Sequence, residues 1–150
     1  MNRLRRLKAV FAAVAVTAGV AATLIIPASP AVAYYSGGLF LDIVAQSPAT
    51  LLAKGAAVDV PLEYTCNAQN PFVTVNVSQR VADGDLATGF ANTQVACTGA
   101  HQRTTISVQA SGSKAFTKGN AFVSASISGC LPDFFTCGAE HDDATVKFQR

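Results

Sequence analysis

Apolar and polar residues alternate through most of the chain. Val58, Val60, Leu62, Tyr64 and Cys66 alternate with Asp59, Pro61, Glu63 and Thr65, the pattern of a strand with one buried and one solvated face. Pro61 has no N–H for a ladder, which predicts that this strand runs along a sheet edge for part of its length. Asn67-Ala68-Gln69-Asn70-Pro71 turns the chain, and Val73, Val75 and Val77 resume the alternation. Asp83-Gly84-Asp85 marks another turn. Thr93, Val95 and Cys97 form a third alternating set, Ile106, Val108 and Ala110 a fourth, and Ala121, Val123, Ala125 and Ile127 a fifth. Leu39 to Val44 reads as a first strand, ended by Gln46-Ser47-Pro48, and Val146 and Phe148 read as the last. No stretch beyond residue 33 carries a 3.6-residue period. About seven short strands with turns between them predict an all-β fold, an immunoglobulin-like antiparallel β-sandwich, with a small closed barrel as the alternative. The chain has no Trp, so the likeness is to the architecture and not to antibody domains, which bury a Trp on one strand.

The first 33 residues follow a different pattern. Arg3, Arg5, Arg6 and Lys8 precede a run from Ala9 to Ile26 with no charged residue. Pro27 and Pro30 break that run, and Ala31-Val32-Ala33 follows. A basic start, an apolar middle and an A-x-A site in that order predict a signal peptide over residues 1–33, cleaved before Tyr34. A membrane anchor is the rival, because the run is just long enough to span a bilayer. It is, however, Ala-rich and interrupted by Gly19. The expected product is one secreted domain, residues 34–150, with no stable membrane insertion.

Cleavage reverses the charge. The whole chain carries +2, with eleven Lys and Arg against nine Asp and Glu. Four of the basic residues lie in the leader and all the acids lie after it. The exported domain is therefore acidic and has no basic stripe for nucleic acid.

Cys66, Cys97, Cys130 and Cys137 all follow the leader. An even count in a small exported chain predicts two disulfides, with three connectivities open. Cys66 and Cys97 are each in phase with the inward set of their strands. Cys130 and Cys137 bracket a six-residue loop. That favours Cys66–Cys97 with Cys130–Cys137 over a Cys66–Cys130 bond between sheets, because Cys130 lies beyond its strand's turn signal. Zinc is disfavoured, since no C-x₂₋₄-C pair exists and both His are isolated.

The chain resembles a group of small secreted actinobacterial proteins with immunoglobulin-like folds and no assigned activity. The resemblance rests on Tyr64-Thr65-Cys66, Val77-Ser78-Gln79, Val95-Ala96-Cys97-Thr98-Gly99 and His101-Gln102. Phe116-Thr117-Lys118-Gly119-Asn120-Ala121 and Val146-Lys147-Phe148 complete it. It covers most of residues 34–150 and implies fold and compartment, with no catalytic residue to carry over. Two further secreted actinobacterial families, the enediyne-carrier apoproteins and the subtilisin inhibitors, share the size and the four cysteines. Neither family's diagnostic motif is present.

Candidate chemistry is sparse. Glu140-His141-Asp142-Asp143 offers oxygen ligands for Ca²⁺, yet it has no EF-hand spacing and reads as a solvated loop before the last strand. His101 and His141 lack a nucleophile-elbow Ser and read as turn residues. Catalytic residues, metal and cofactor are accordingly expected to be none. Phe134 and Phe135 are the candidate binding residues. Two adjacent aromatics in the 130–137 loop either plug the end of the sandwich, the reading favoured by the usual burial of Phe, or stand out as recognition anchors. The expected function is a non-catalytic secreted or cell-envelope binding module for an extracellular protein or small ligand. The alternatives are a protease inhibitor using the 130–137 loop and a carrier of a small apolar ligand.

Overall fold

Strict alternation over ten residues builds the central strand. In the computed structural model, which describes residues 38–150, the stretch Ala57–Cys66 is a strand whose even positions are buried and odd positions half-buried. The expected leader, residues 1–33, lies outside the described residues. In chain order the strands are β1 (Leu41–Ala45), β2 (Ala49–Leu52), β3 (Ala57–Cys66), β4 (Gln69–Arg80), β5 (Leu86–Gln94), β6 (His101–Ser111), β7 (Gly119–Cys130) and β8 (Cys137–Gln149). Two short 3₁₀ turns, Ala53–Gly55 and Ala82–Gly84, join β2 to β3 and β4 to β5. Among the described residues no helix is long and apolar enough to cross a membrane.

The fold is all-β with two disulfides, and its pairings close. β3 pairs with β2, β2 with β8, β8 with β7, β7 with β4, β4 with β5, β5 with β6 and β6 with β3. This ring of seven strands is the closed barrel, where two separate sheets were expected. Two short ladders close it. β5 meets β6 over Thr88–Ser111, Gly89–Ala110 and Phe90–Gln109, and β2 meets β8 in parallel over Ala49–Phe148 and Thr50–Gln149. Gly89 makes the first approach possible: a Cβ there would lie 2.5 Å from the Gln109 carbonyl oxygen.

β1 takes the rest of the β3 edge, pairing Leu41–Cys66 through Ala45–Leu62, while β2 covers residues 57–59. Pro61 lies between the two. Its carbonyl accepts the Gln46 N–H at 2.9 Å. In an antiparallel ladder a residue's N–H and C=O face the same neighbour, so the N–H that Pro61 lacks would have pointed into the gap. β3 is thus an interior strand, with β6 on one side and β2 and β1 on the other, and not the partial edge expected; the proline is accommodated at the break between β2 and β1.

Three other expectations shift. The third strand runs over Leu86–Gln94 and not through Cys97, because its inward residues are Ala87 and Gly89. The 67–71 turn shortens to Asn67 and Ala68. Asn70, with φ +48°, and Pro71 then form an irregularity at the start of β4, where the register with β7 slips between Gln69 and Phe72. The last strand begins at Cys137, so Glu140 to Asp143 belong to β8 and not to a loop.

The interior is one cluster built from the buried faces of β1 to β8. At one end Phe116, in the β6–β7 connection, seals it. Its ring meets Phe148 edge-on at 5.7 Å between centroids. Its N–H donates to the Gly55 carbonyl at 2.8 Å. Buried Gln79 ties down the same connection: its amide donates to the Thr117 carbonyl at 2.9 Å and its oxygen accepts the Thr117 N–H at 2.8 Å. With this end closed, the open loops gather at the other.

Candidate recognition site

The opposite end collects the β3–β4 turn, the β5–β6 loop and the β7–β8 hairpin. Cys66 at the end of β3 is bonded to Cys97 in the β5–β6 loop, with Cα atoms 5.1 Å apart. Around this bond the Gly99 N–H donates to the Cys66 carbonyl at 3.0 Å and the Val95 N–H to the Pro71 carbonyl at 3.0 Å. The Tyr64 hydroxyl donates to the Ala96 carbonyl at 3.2 Å, and burial pushes this phenol above its ordinary pKa. Asn67 holds the segment before β1: its Oδ1 accepts the Phe40 N–H at 2.9 Å and its Nδ2 donates to the Gly38 carbonyl at 3.1 Å. Between these segments opens a shallow cleft of about 640 Å³, lined by residues 67–70, 94–97 and Pro132.

The β7–β8 hairpin rises beside the cleft. Cys130 and Cys137 are directly opposed in the ladder and bonded, with Cα atoms 4.0 Å apart. Inside the closed loop the Phe134 N–H donates to the Leu131 carbonyl at 2.9 Å. This makes a β-turn with Pro132 at its second position, where a fixed φ suits the turn. Asp133 fills the rest of the loop: Oδ1 accepts the N–H groups of Phe135 and Thr136 at 3.0 Å each, and Oδ2 accepts the Thr136 hydroxyl at 3.0 Å. The backbone bond from Thr136, then that from Phe135, holds this carboxyl below its ordinary pKa. Leu131 also donates its N–H to the Thr136 carbonyl at 2.9 Å. Little freedom is left in these six residues.

Phe134 and Phe135 do not plug the barrel. They are 70% and 94% exposed. The reason is the ladder, which continues to Cys130–Cys137 and carries the hairpin tip beyond the end of the core. Phe134 also has φ +57°, a left-handed conformation that a bulky side chain rarely adopts.

The other singled-out residues do not join this site. His101 opens β6 and lies 3.4 Å from Glu63, which also binds Arg103 at 2.6 Å across the β3–β6 ladder. His141 stands on β8 opposite Ser126. Both His are therefore strand residues and not turn residues, because β6 and β8 extend into polar sequence whose backbone pairing does not depend on apolar alternation. The acidic run is divided between the two faces of β8, as successive strand residues must be. Asp142 accepts the Ala45 N–H at 2.8 Å, completing a backbone bond that β1 lacks. Among the described residues, no group of three His, Cys, Asp or Glu is arranged to hold a metal ion. The cleft residues Asn67, Gln94 and Pro132 were not singled out from sequence. Their signal was a polar turn, a strand end and a loop proline, which nothing local distinguishes from ordinary connections.

No family model matches the chain, and no curated protein matches it. Among solved structures, the chain is similar to AggA, the major subunit of aggregative adherence fimbriae type I from Escherichia coli. The identity is 10%, covering 75% of this chain and 95% of that one, with a TM-score of 0.39. It is also similar to Spo0M, a sporulation control protein from Bacillus subtilis. There the identity is 11%, covering 74% of this chain and 50% of that one, with a TM-score of 0.38. At these scores neither likeness bears on what this chain does.

Proposed function

We propose that the chain is an exported, non-catalytic recognition module that binds its partner through the loop end, with Phe134 and Phe135 as anchors beside the 67–70/94–97 cleft. The observation carrying this reading is the exposure of both rings on a loop already fixed by a disulfide, a proline turn and Asp133. Two adjacent exposed aromatics form the kind of apolar surface that binding sites use. Anchors on an ordered loop lose little conformational entropy when they dock. Export is supported by the leader pattern and by two disulfides, which persist in oxidising compartments. Immunoglobulin-like connectivity is part of the same proposal. β3 with β6 forms one wall, and β4, β7 and β8 form the other, the arrangement of such domains drawn together here by β2 and β5. The inhibitor alternative is weakened by the closed turn from Leu131 to Phe134, since a protease binds its target segment extended.

The test is capture of partners from culture and envelope fractions of the producing cells on immobilised protein, compared with the Phe134→Ala, Phe135→Ala double variant. A partner bound by the parent and lost from an equally stable variant supports the reading. Partners retained unchanged by the variant overturn it.

A further inference from the structure

A second surface lies on the barrel wall, away from the loop end. The outward positions 72–78 of β4, 88–94 of β5 and 122–128 of β7 carry no charged side chain. Charges border it: exposed Arg80 is the next outward residue of β4, and Asp143 and Lys147 stand on β8 opposite Ser124 and Asn120 of β7, while Asp59, Glu63 and Arg103 lie on the β3–β6 wall. Three of the uncharged positions are Phe72, Phe90 and Phe122, exposed by 49%, 59% and 49%. Each ring alone is an ordinary exposed apolar residue; together they set three separate aromatic platforms on one otherwise polar face. The positions between the rings are hydroxyls and amides. They are partly fixed in place: the Asn92 amide donates to the Thr74 hydroxyl at 2.8 Å across the β4–β5 ladder.

The ladder sets the spacing. Phe90 and Ser124 both face Asn76, and Phe122 faces Ser78. Phe90 and Phe122 are thus two strands and two residues apart, about 12 Å; Phe72 and Phe90 are one strand and four residues apart, about 14 Å. These gaps exceed the width of one sugar ring. The bordering charges Arg80, Lys147 and Asp143 are isolated and of both signs, so a strongly charged partner meets no field of one sign, and an apolar one would bury unpaired amides and hydroxyls at a cost. A chain of sugar rings satisfies both groups, since its C–H faces stack on aromatic rings and its hydroxyls exchange hydrogen bonds with Asn, Thr and Ser.

We propose that this face binds a neutral polysaccharide. The proposal is independent of the loop-end reading.

The test is affinity electrophoresis of protein purified from expression of the full-length chain, run through gels containing hydroxyethyl cellulose, mixed-linkage β-glucan, xylan or galactomannan, with alginate as the anionic control. Insoluble cellulose and chitin serve in pull-downs. Retardation or retention by at least one neutral glycan is expected, insensitive to salt and weakened about tenfold or more by the Phe90→Ala, Phe122→Ala double variant. The variant should remain folded, losing less stability than Phe116→Ala, because each ring is about half exposed. The Phe134→Ala, Phe135→Ala variant should bind the glycan normally. Absence of binding to every neutral glycan, binding to alginate alone, or binding unchanged in the Phe90, Phe122 variant overturns the proposal. So does a self-associated state in sedimentation that the same variant dissolves, which would assign the face to a second copy.

Discussion

Phe116 offers the strongest test of the fold. It is 1% exposed, contacts Phe148 edge-on at 5.7 Å and closes the barrel end opposite the hairpin. Truncating a buried Phe to Ala costs about 3–5 kcal/mol, more where the surroundings do not collapse into the space. Collapse is restricted here. The backbone of residue 116 remains tied to Gly55, and Thr117 to both polar atoms of Gln79. The lost aromatic pair adds a contribution of about 1 kcal/mol. Phe116→Ala should therefore fall near the top of the range, about 5 kcal/mol. A domain of this size has a total stability of about 5–15 kcal/mol, so the variant should lose between a third and all of it.

A loss of this size lowers the melting temperature by roughly 15–30 °C, with each kcal/mol shifting it by about 3–6 °C at this chain length. Non-reducing thermal melts followed by circular dichroism would measure it, with urea titration as the second probe. Phe135→Ala is the internal control: the ring is 94% exposed, so the change should be within about 0.5 kcal/mol of the parent. A Phe116→Ala protein melting within about 3 °C of the parent would refute the plug assignment, and with it the packing of this barrel end.

Gly89→Ala should destabilise strongly, because its Cβ would meet the Gln109 carbonyl oxygen at 2.5 Å and the Phe116 ring at 2.9 Å; denaturant titration reads this. Replacing both cysteines of a pair by Ala should cost more for Cys66–Cys97 than for Cys130–Cys137, about 4 against about 2–3 kcal/mol, since the first closes the longer loop. Edman sequencing of protein exported by a secreting host should begin Tyr34-Tyr35-Ser36; an intact Met1 in membrane fractions would contradict the leader. The Asp133 carboxyl is held below its ordinary pKa by its bonds to Thr136 and Phe135. A depressed carboxylate contributes order that is present above the ordinary range near pH 4 and is lost as pH falls through the lowered value. NMR titration of the 131–136 amides should thus be flat from pH 5 to 8 and move only below pH 4; movement above pH 5 would contradict the assignment.

Much of the fold was legible from sequence because β3, β4, β6 and β7 obey the period of two with apolar residues inward, Val on β4 and β7 above all. Cys66 was legible for the same reason, being in phase with the inward set of β3, whereas Cys97 lies beyond the end of β5, in a loop, where the phase argument does not apply. β2 was not legible, since Ala49–Leu52 is too short to show a period. Half of β8 was not, because from Cys137 to Asp143 both of its faces are polar or small and only backbone pairing with β7 makes it a strand. Closure of the ring depends on ladders of two and three residue pairs, and no local pattern encodes which strands meet at the end of a long connection.

β5 defeated the reading in a more informative way. Its inward residues are Ala87 and Gly89, and its outward ones include Leu86 and Phe90. The small residues are inside because β5 must pass close to β6 and the Phe116 ring. That explains the inner face and leaves the outer one unexplained, since nothing in the packing requires a Phe in solvent at position 90. The same inversion recurs at Phe72 and Phe122, in strands whose inward positions are otherwise regular. It recurs again at Phe134 and Phe135, on a loop whose hydrogen bonds are made by Asp133 and not by the rings. Sequences conform to their fold where stability decides the residue, and depart from it where something else does. In this chain the departures are concentrated on one wall and one hairpin, and those are the two surfaces where substitution should change binding while leaving the fold in place.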